Sequence, residues 1–182
     1  MKRRQFNKLI TSVSSAIVIS NGYSISRTKQ KYGLSLAQWS LNKMIKTKKI
    51  LNPINFAQKA SELGFNAIEY VSTLYRLELE KMNISELTKK LISNSKNYNI
   101  KNLLIMVDQE GDLSSSNPNE ILQAVNKHKK WIEMANELGC HSVRVNLNGE
   151  DDIEKWKDNS IIGLTKLCEF ADNINIIVEN HG

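Results

Sequence analysis

The chain has 182 residues, 41% of them hydrophobic and 24% charged, the composition of a globular domain with apolar material enough for a core. Its net charge of +6 resides at the start: residues 1–31 hold seven of the 25 Lys and Arg side chains and no acid, so the other 18 bases face 19 acids. That near-neutral balance excludes a global electrostatic case for nucleic acid as a partner.

The opening, MKRRQFNKLITSVSSAIVISNGYSIS, is a basic start followed by a mildly apolar run, Leu9 to Ile19, too short to make a stable membrane span. Arg3-Arg4 followed by Phe6 and Lys8 resembles a twin-arginine export signal, although Lys2 and Asn7 depart from the usual pattern. Residues 1–31 are therefore expected to be an export leader on a periplasmic or exported bacterial protein, and 32–182 its folded domain.

Past the leader one pattern repeats. GLSLAQWSL (33–41) predicts a strand, and NPINFAQKASELG (52–64) a helix capped by Asn52, with Pro53 in its first turn and Gly64 at its end. NAIEYV (66–71) predicts a second strand. A helix over 83–99 follows, capped by Asn83, with Leu87, Leu91 and Tyr98 on one face. NLLIMV (102–107) is the third strand. The long helix 117–139 turns Ile121, Val125, Ile132, Ala135 and Leu138 inward and stops at Gly139. HSVRVNL (141–147) is the fourth strand, 160–173 a helix, and INIIV (174–178) a fifth strand that reads as fully buried.

Strands alternating with helices mean parallel strands joined by right-handed crossovers. No Gly-x-Gly-x-x-Gly follows a strand and no P-loop is present, which argues against a dinucleotide or nucleoside triphosphate site. An open doubly wound sheet and a (β/α) barrel both satisfy the spacing. Polar residues near the strand ends (Gln38, Glu69, Asp108, Asn146 and Glu179) favour the barrel, whose site gathers from many strands. A complete barrel has eight strands and about 250 residues. The five strands here read as an incomplete (β/α)8 TIM barrel, the N-terminal portion of a larger one, inactive at this length.

Several stretches resemble one family: LSLAQWSL, LGFNAIEYV, LLIMVDQEGDLSS, ANELGCHSVRVN and, most specifically, VENHG. They are similar to the sugar phosphate isomerase/epimerase group of the xylose isomerase-like TIM barrel superfamily, which also includes endonuclease IV. The likeness covers roughly residues 33–182. It implies a carbohydrate substrate and a divalent metal (Mn²⁺, Mg²⁺ or Co²⁺) at the C-terminal mouth of the barrel. In the family the Glu ending strand five is both metal ligand and acid/base, a role that maps to Glu179, while the remaining ligands come from later strands. The chemistry would be proton abstraction beside a carbonyl through an enediolate. The endonuclease branch predicts His ligands on strands two and three, and none stands there.

His181, Asp108, Glu69, Gln38 and Asn146 are the candidates for contact with substrate. Glu69 either meets substrate or pairs with an inward base such as Arg144, for which an internal ion pair is the expectation. Trp39 reads as packing, His128 as part of a solvated face with Lys127, Lys129 and Lys130, and His141 as lying at the bottom of the barrel. Cys140 and Cys168 read as two small buried hydrophobes. A second reading is a non-catalytic half-barrel that binds another chain, or self-associates, through its open edges.

Overall fold

The computed structural model describes residues 33–148 and 152–179. The expected leader and His181 lie outside the described residues. Within them, one parallel sheet holds β1 (Ser35–Ala37), β2 (Ala67–Val71), β3 (Lys101–Met106), β4 (Ser142–Val145) and β5 (Asn175–Val178). The helices between are α1 (Phe56–Glu62), α2 (Arg76–Leu79), α3 (Ile84–Asn97), α4 (Pro118–Leu138) and α5 (Ile153–Phe170).

The strand order in the sheet is the strand order in the chain, and every neighbouring pair is parallel. Right-handed crossovers between successive neighbours place all the intervening helices on one face of the sheet. A doubly wound sheet would reverse its order at a switch point. The order therefore decides between the two architectures: this is an α/β fold, part of a TIM barrel.

Alternation along the strands divides their side chains. Leu36, Ile68, Tyr70, Ile105, Val107, Val143 and Val145 face outward and are buried in one core with Phe56, Ala60, Leu87, Leu91, Ile121, Ile132 and Leu167 of the helices. The opposite parity carries Ala37, Val71, Met106, Asp108, Arg144, Asn146 and Glu179, which line a cavity.

Local chemistry sets the element ends. β1 is shorter than its apolar run because the chain enters a 3₁₀ turn at Gln38. Asn52 Oδ1 accepts from Ile54 N at 2.8 Å, capping a 3₁₀ turn (Pro53–Asn55) that leads into α1. Asn83 Oδ1 accepts from Glu86 N at 2.9 Å and starts α3. Tyr98 falls just beyond α3 and is exposed rather than inward. α5 begins seven residues before the expected 160, because Asp152 Oδ1 accepts from Lys155 N at 3.2 Å and caps it there. β5 is not fully buried: it lies at the edge of the described sheet, and Ile177 and Val178 are exposed. Cys140 is buried, which pushes its thiol pKa up to about 12, but Cys168 is exposed on α5. No helix among the described residues is long and apolar enough to cross a membrane.

Candidate active site at the strand C-termini

The register stacks the inward residues of β3, β4 and β5 in layers. Met106 lies opposite Arg144, and Arg144 opposite Ile177. Val107 N donates to Arg144 O at 2.8 Å and Glu179 N to Val145 O at 3.2 Å, which carries the ladder one step further. Asp108, Asn146 and Glu179 therefore form the layer above Arg144, at the C-terminal mouth.

Arg144 is a long side chain one layer below two carboxylates, and it reaches up to both. Its Nη2 donates to Asp108 Oδ1 at 2.8 Å, and its Nη1 pairs with Glu179 Oε2. Asn146 Nδ2 donates to the same Asp108 oxygen at 2.8 Å. Ser72, just past β2, fixes the end of β3: its Oγ accepts from Asp108 N at 2.9 Å. The internal ion pair expected of Arg144 is present, with Asp108 and Glu179 as partners rather than Glu69.

Asp108, Arg144, Asn146 and Glu179 line a cavity of about 800 Å³ with Trp39, Lys46, Glu110 and His128. Residues 108–112 line it, the first part of a loop that runs to Asn117 and is tied down along its length. Trp131 Nε1 donates to Glu110 Oε1 at 2.7 Å, and Lys130 Nζ pairs with the same oxygen at 3.0 Å. Gly111, at φ +101°, sits so close to α4 that a Cβ would lie 3.0 Å from Ala124 Cβ. Ser114 Oγ lies 2.8 Å from Asp112 Oδ1 and 2.7 Å from Asn148 O, joining this loop to the one after β4.

Of the residues expected to meet substrate, Asp108, Asn146 and Glu179 are brought together. Gln38 is not: it has outward parity with Leu36 and is fully buried. Its Oε1 accepts from Val71 N at 2.9 Å, and its Nε2 donates to Tyr75 Oη at 2.9 Å. Gln38 holds β1 to the end of β2. Gln38→Leu leaves the buried Val71 N–H without an acceptor and is expected to lower stability by about 1–3 kcal/mol in urea unfolding. Glu69 has inward parity but lies deeper, opposite Ala37 and Leu104, where its Oε1 accepts from Ser35 Oγ at 2.5 Å. It is not among the residues lining the cavity.

Two side chains read differently from the sequence alone. Trp39, in the 3₁₀ turn after β1, lines the cavity and is 49% exposed, with Lys46 Nζ 5.7 Å from its ring centre. His128 is only 2% exposed, despite its lysine neighbours. Its position three residues after Val125 and four before Ile132 was the available signal, since both face the core. Its Nδ1 lies 2.7 Å from Ala124 O. A carbonyl only accepts, so Nδ1 carries the proton and Nε2 is the acceptor of the neutral ring.

Burial holds the His128 pKa below its ordinary 6.5, with the Ala124 hydrogen bond opposing. The unfolded chain then binds the extra proton more readily. Stability is full above pH 6.5 and falls as pH drops below it. His128→Gln is expected to flatten this part of a melting temperature against pH profile. An equally steep profile in the variant would assign the dependence to other groups.

The donor chemistry bears on a metal. Asp108 and Glu179 offer the oxygens a hard divalent cation takes. Yet the Arg144 guanidinium already stands between them, and among the described residues no three His, Cys, Asp or Glu side chains converge on one point. These residues by themselves do not make a metal site.

Known proteins share this architecture. A D-psicose 3-epimerase from Clostridium cellulolyticum H10 is 14% identical, with 69% of this chain and 46% of that one covered at a TM-score of 0.57. A probable 3-DHS dehydratase of Bacillus anthracis, involved in petrobactin synthesis, is 22% identical, with 82% and 53% covered at 0.60. The IolI protein, solved with a bound zinc atom, is 15% identical, with 81% and 51% covered at 0.61. At these identities the likeness shows the fold, and the chain spans about half the length of these proteins. No curated protein sequence matches. The family model described as xylose isomerase-like TIM barrel matches residues 57–182. The chain belongs to the xylose isomerase-like TIM barrel family.

Proposed function

We propose that this chain contributes the N-terminal part of the active site of a sugar isomerase or epimerase, which moves a proton at the carbon beside a carbonyl. The observation that carries the reading is the Asp108–Arg144–Glu179 array at the strand C-termini, where barrels of this type keep their chemistry. Glu179 is the carboxylate at the cavity's edge and is assigned the proton. Arg144 orients it, and Asp108 with Asn146 holds Arg144 in place. His128 supplies a second base on the cavity wall. A divalent cation, if bound, would supply Lewis-acid stabilisation of the developing oxyanion. In this chain Glu179 is the residue assigned to such an ion, with further donors required from outside the described residues.

The full-length gene product should be incubated with keto and aldo sugars in D₂O and the sugars examined by NMR. Deuterium at the carbon next to the carbonyl is expected. Absence of exchange across free and phosphorylated sugars, with and without Mn²⁺, would overturn the proposal.

One observation favours the second reading, a half-barrel that assembles with another copy. Ile177 (40% exposed) and Val178 (45% exposed) leave apolar surface on opposite faces of β5 at the edge of the described sheet. Sedimentation of this chain tests it: a concentration-dependent dimer lost in Ile177→Lys supports assembly, and a monomer at every concentration removes it.

A further inference from the structure

A second cavity, of about 360 Å³, opens beside the first. Lys46, Thr73 and Gln109 line both. The two differ in charge. The fixed charges around the first are Asp108, Glu110, Asp112 and Glu179 against Lys46 and Arg144. Around the second they are Lys46, Lys49 and Arg76 against Glu78. Acid dominates one chamber and base the other, with Lys46 at the boundary.

The backbone around the second cavity is unusual. Lys43–Thr47 forms a single π-helical turn, a form found often at functional sites. Three non-glycine residues among the described ones have left-handed backbone, and two of them, Lys49 (φ 52°) and Gln109 (φ 62°), line this cavity. Such conformations persist where the surrounding structure enforces them, commonly at ligand sites. Arg76 Nη2 donates to Gln109 Oε1 at 2.8 Å, which ties the guanidinium to the rim shared by both chambers. Thr73 adds a hydroxyl at that rim. Leu51, Leu74 and Leu77 give the chamber apolar walls, which strengthen the field of its cations.

We propose that the second cavity binds an anionic oxygen group, the phosphate of a phosphorylated sugar or the carboxylate of a sugar acid. The same molecule would extend its carbonyl end past Lys46 toward Glu179. The anion site stands on the charge and backbone geometry of the second chamber, and its assignment to substrate rests on the isomerase reading above.

Inorganic phosphate and glycolate, titrated separately into this chain and followed by amide NMR, test the site. Saturable shifts at Lys49, Thr73, Arg76 and Gln109 are expected with at least one of the two. The tighter ligand names the source. Lys46→Met/Lys49→Met should weaken that binding at least fivefold. Lys89→Met/Lys96→Met, which removes the same charge from the exposed face of α3, should leave it unchanged. All four lysines are exposed, so melting temperatures verify that both variants fold. Non-saturable shifts with both anions, or equal weakening in the two double variants, would overturn the site. That failure leaves a neutral sugar as the substrate at Glu179, whereas failure of deuterium exchange leaves the anion site standing.

Discussion

Glu179→Gln is expected to lower turnover of the full-length protein by about 100-fold or more, the usual contribution of a positioned acid or base. The substitution keeps the side chain's shape and one carbonyl oxygen. That oxygen still accepts from Arg144 Nη1, so the register at the end of β5 is retained. What disappears is the charge, and with it the ability to take a proton. The effect should fall on kcat more than on KM, because the lost interaction is made in the transition state. Circular dichroism and melting temperature should match wild type within the error of the measurement. Turnover within a few-fold of wild type would remove Glu179 from the chemistry and move attention to His128, the other base on the cavity wall.

Gly163→Ala is expected to cost about 3 kcal/mol of stability or more, a large loss for the addition of one methyl group. A Cβ at this position of α5 would stand 2.0 Å from Leu113 O and 2.9 Å from its carbonyl carbon. The obstacle is backbone, so no rotamer change relieves it. Leu113 is fully buried in the core, and its loop is held by Ser114, Gly111 and Glu110 on either side. The helix must therefore move away or the loop must yield. Because residues 108–112 of that loop line the cavity, the damage should reach ligand binding as well as stability. Urea unfolding measures the first. An unchanged midpoint would mean that α5 does not press on this loop in solution.

Where the sequence was legible, local rules and tertiary structure agreed. Asn52 and Asn83 cap as their side chains allow, and strand parity placed Asp108, Asn146 and Glu179 together. Gln38 misled because a polar residue after an apolar strand reads as exposed, whereas its parity is that of Leu36 and its amide links two strand ends. His128 misled in the opposite direction: three lysines mask a position on the apolar stripe of α4. The early start of α5 was hidden because its first two turns are mostly polar, with Trp156 Nε1 bonded to Asn148 O instead of packed in a core stripe. The second cavity had no sequence signal at all. It depends on a π turn and on two left-handed residues, and neither follows from side-chain periodicity.

The strand order has a consequence for biogenesis. Among the described strands, each one after β1 pairs with the strand synthesised just before it, so none of these pairings waits for a distant partner. A chain emerging from the ribosome can add one strand and one helix at a time, each docking on a platform already formed. The loop to be closed at each addition is one β/α unit, and the closure entropy hardly changes along the chain. Through most of synthesis the growing sheet thus exposes its newest strand, and translation pauses placed after complete β/α units would shelter it longest from faulty pairing.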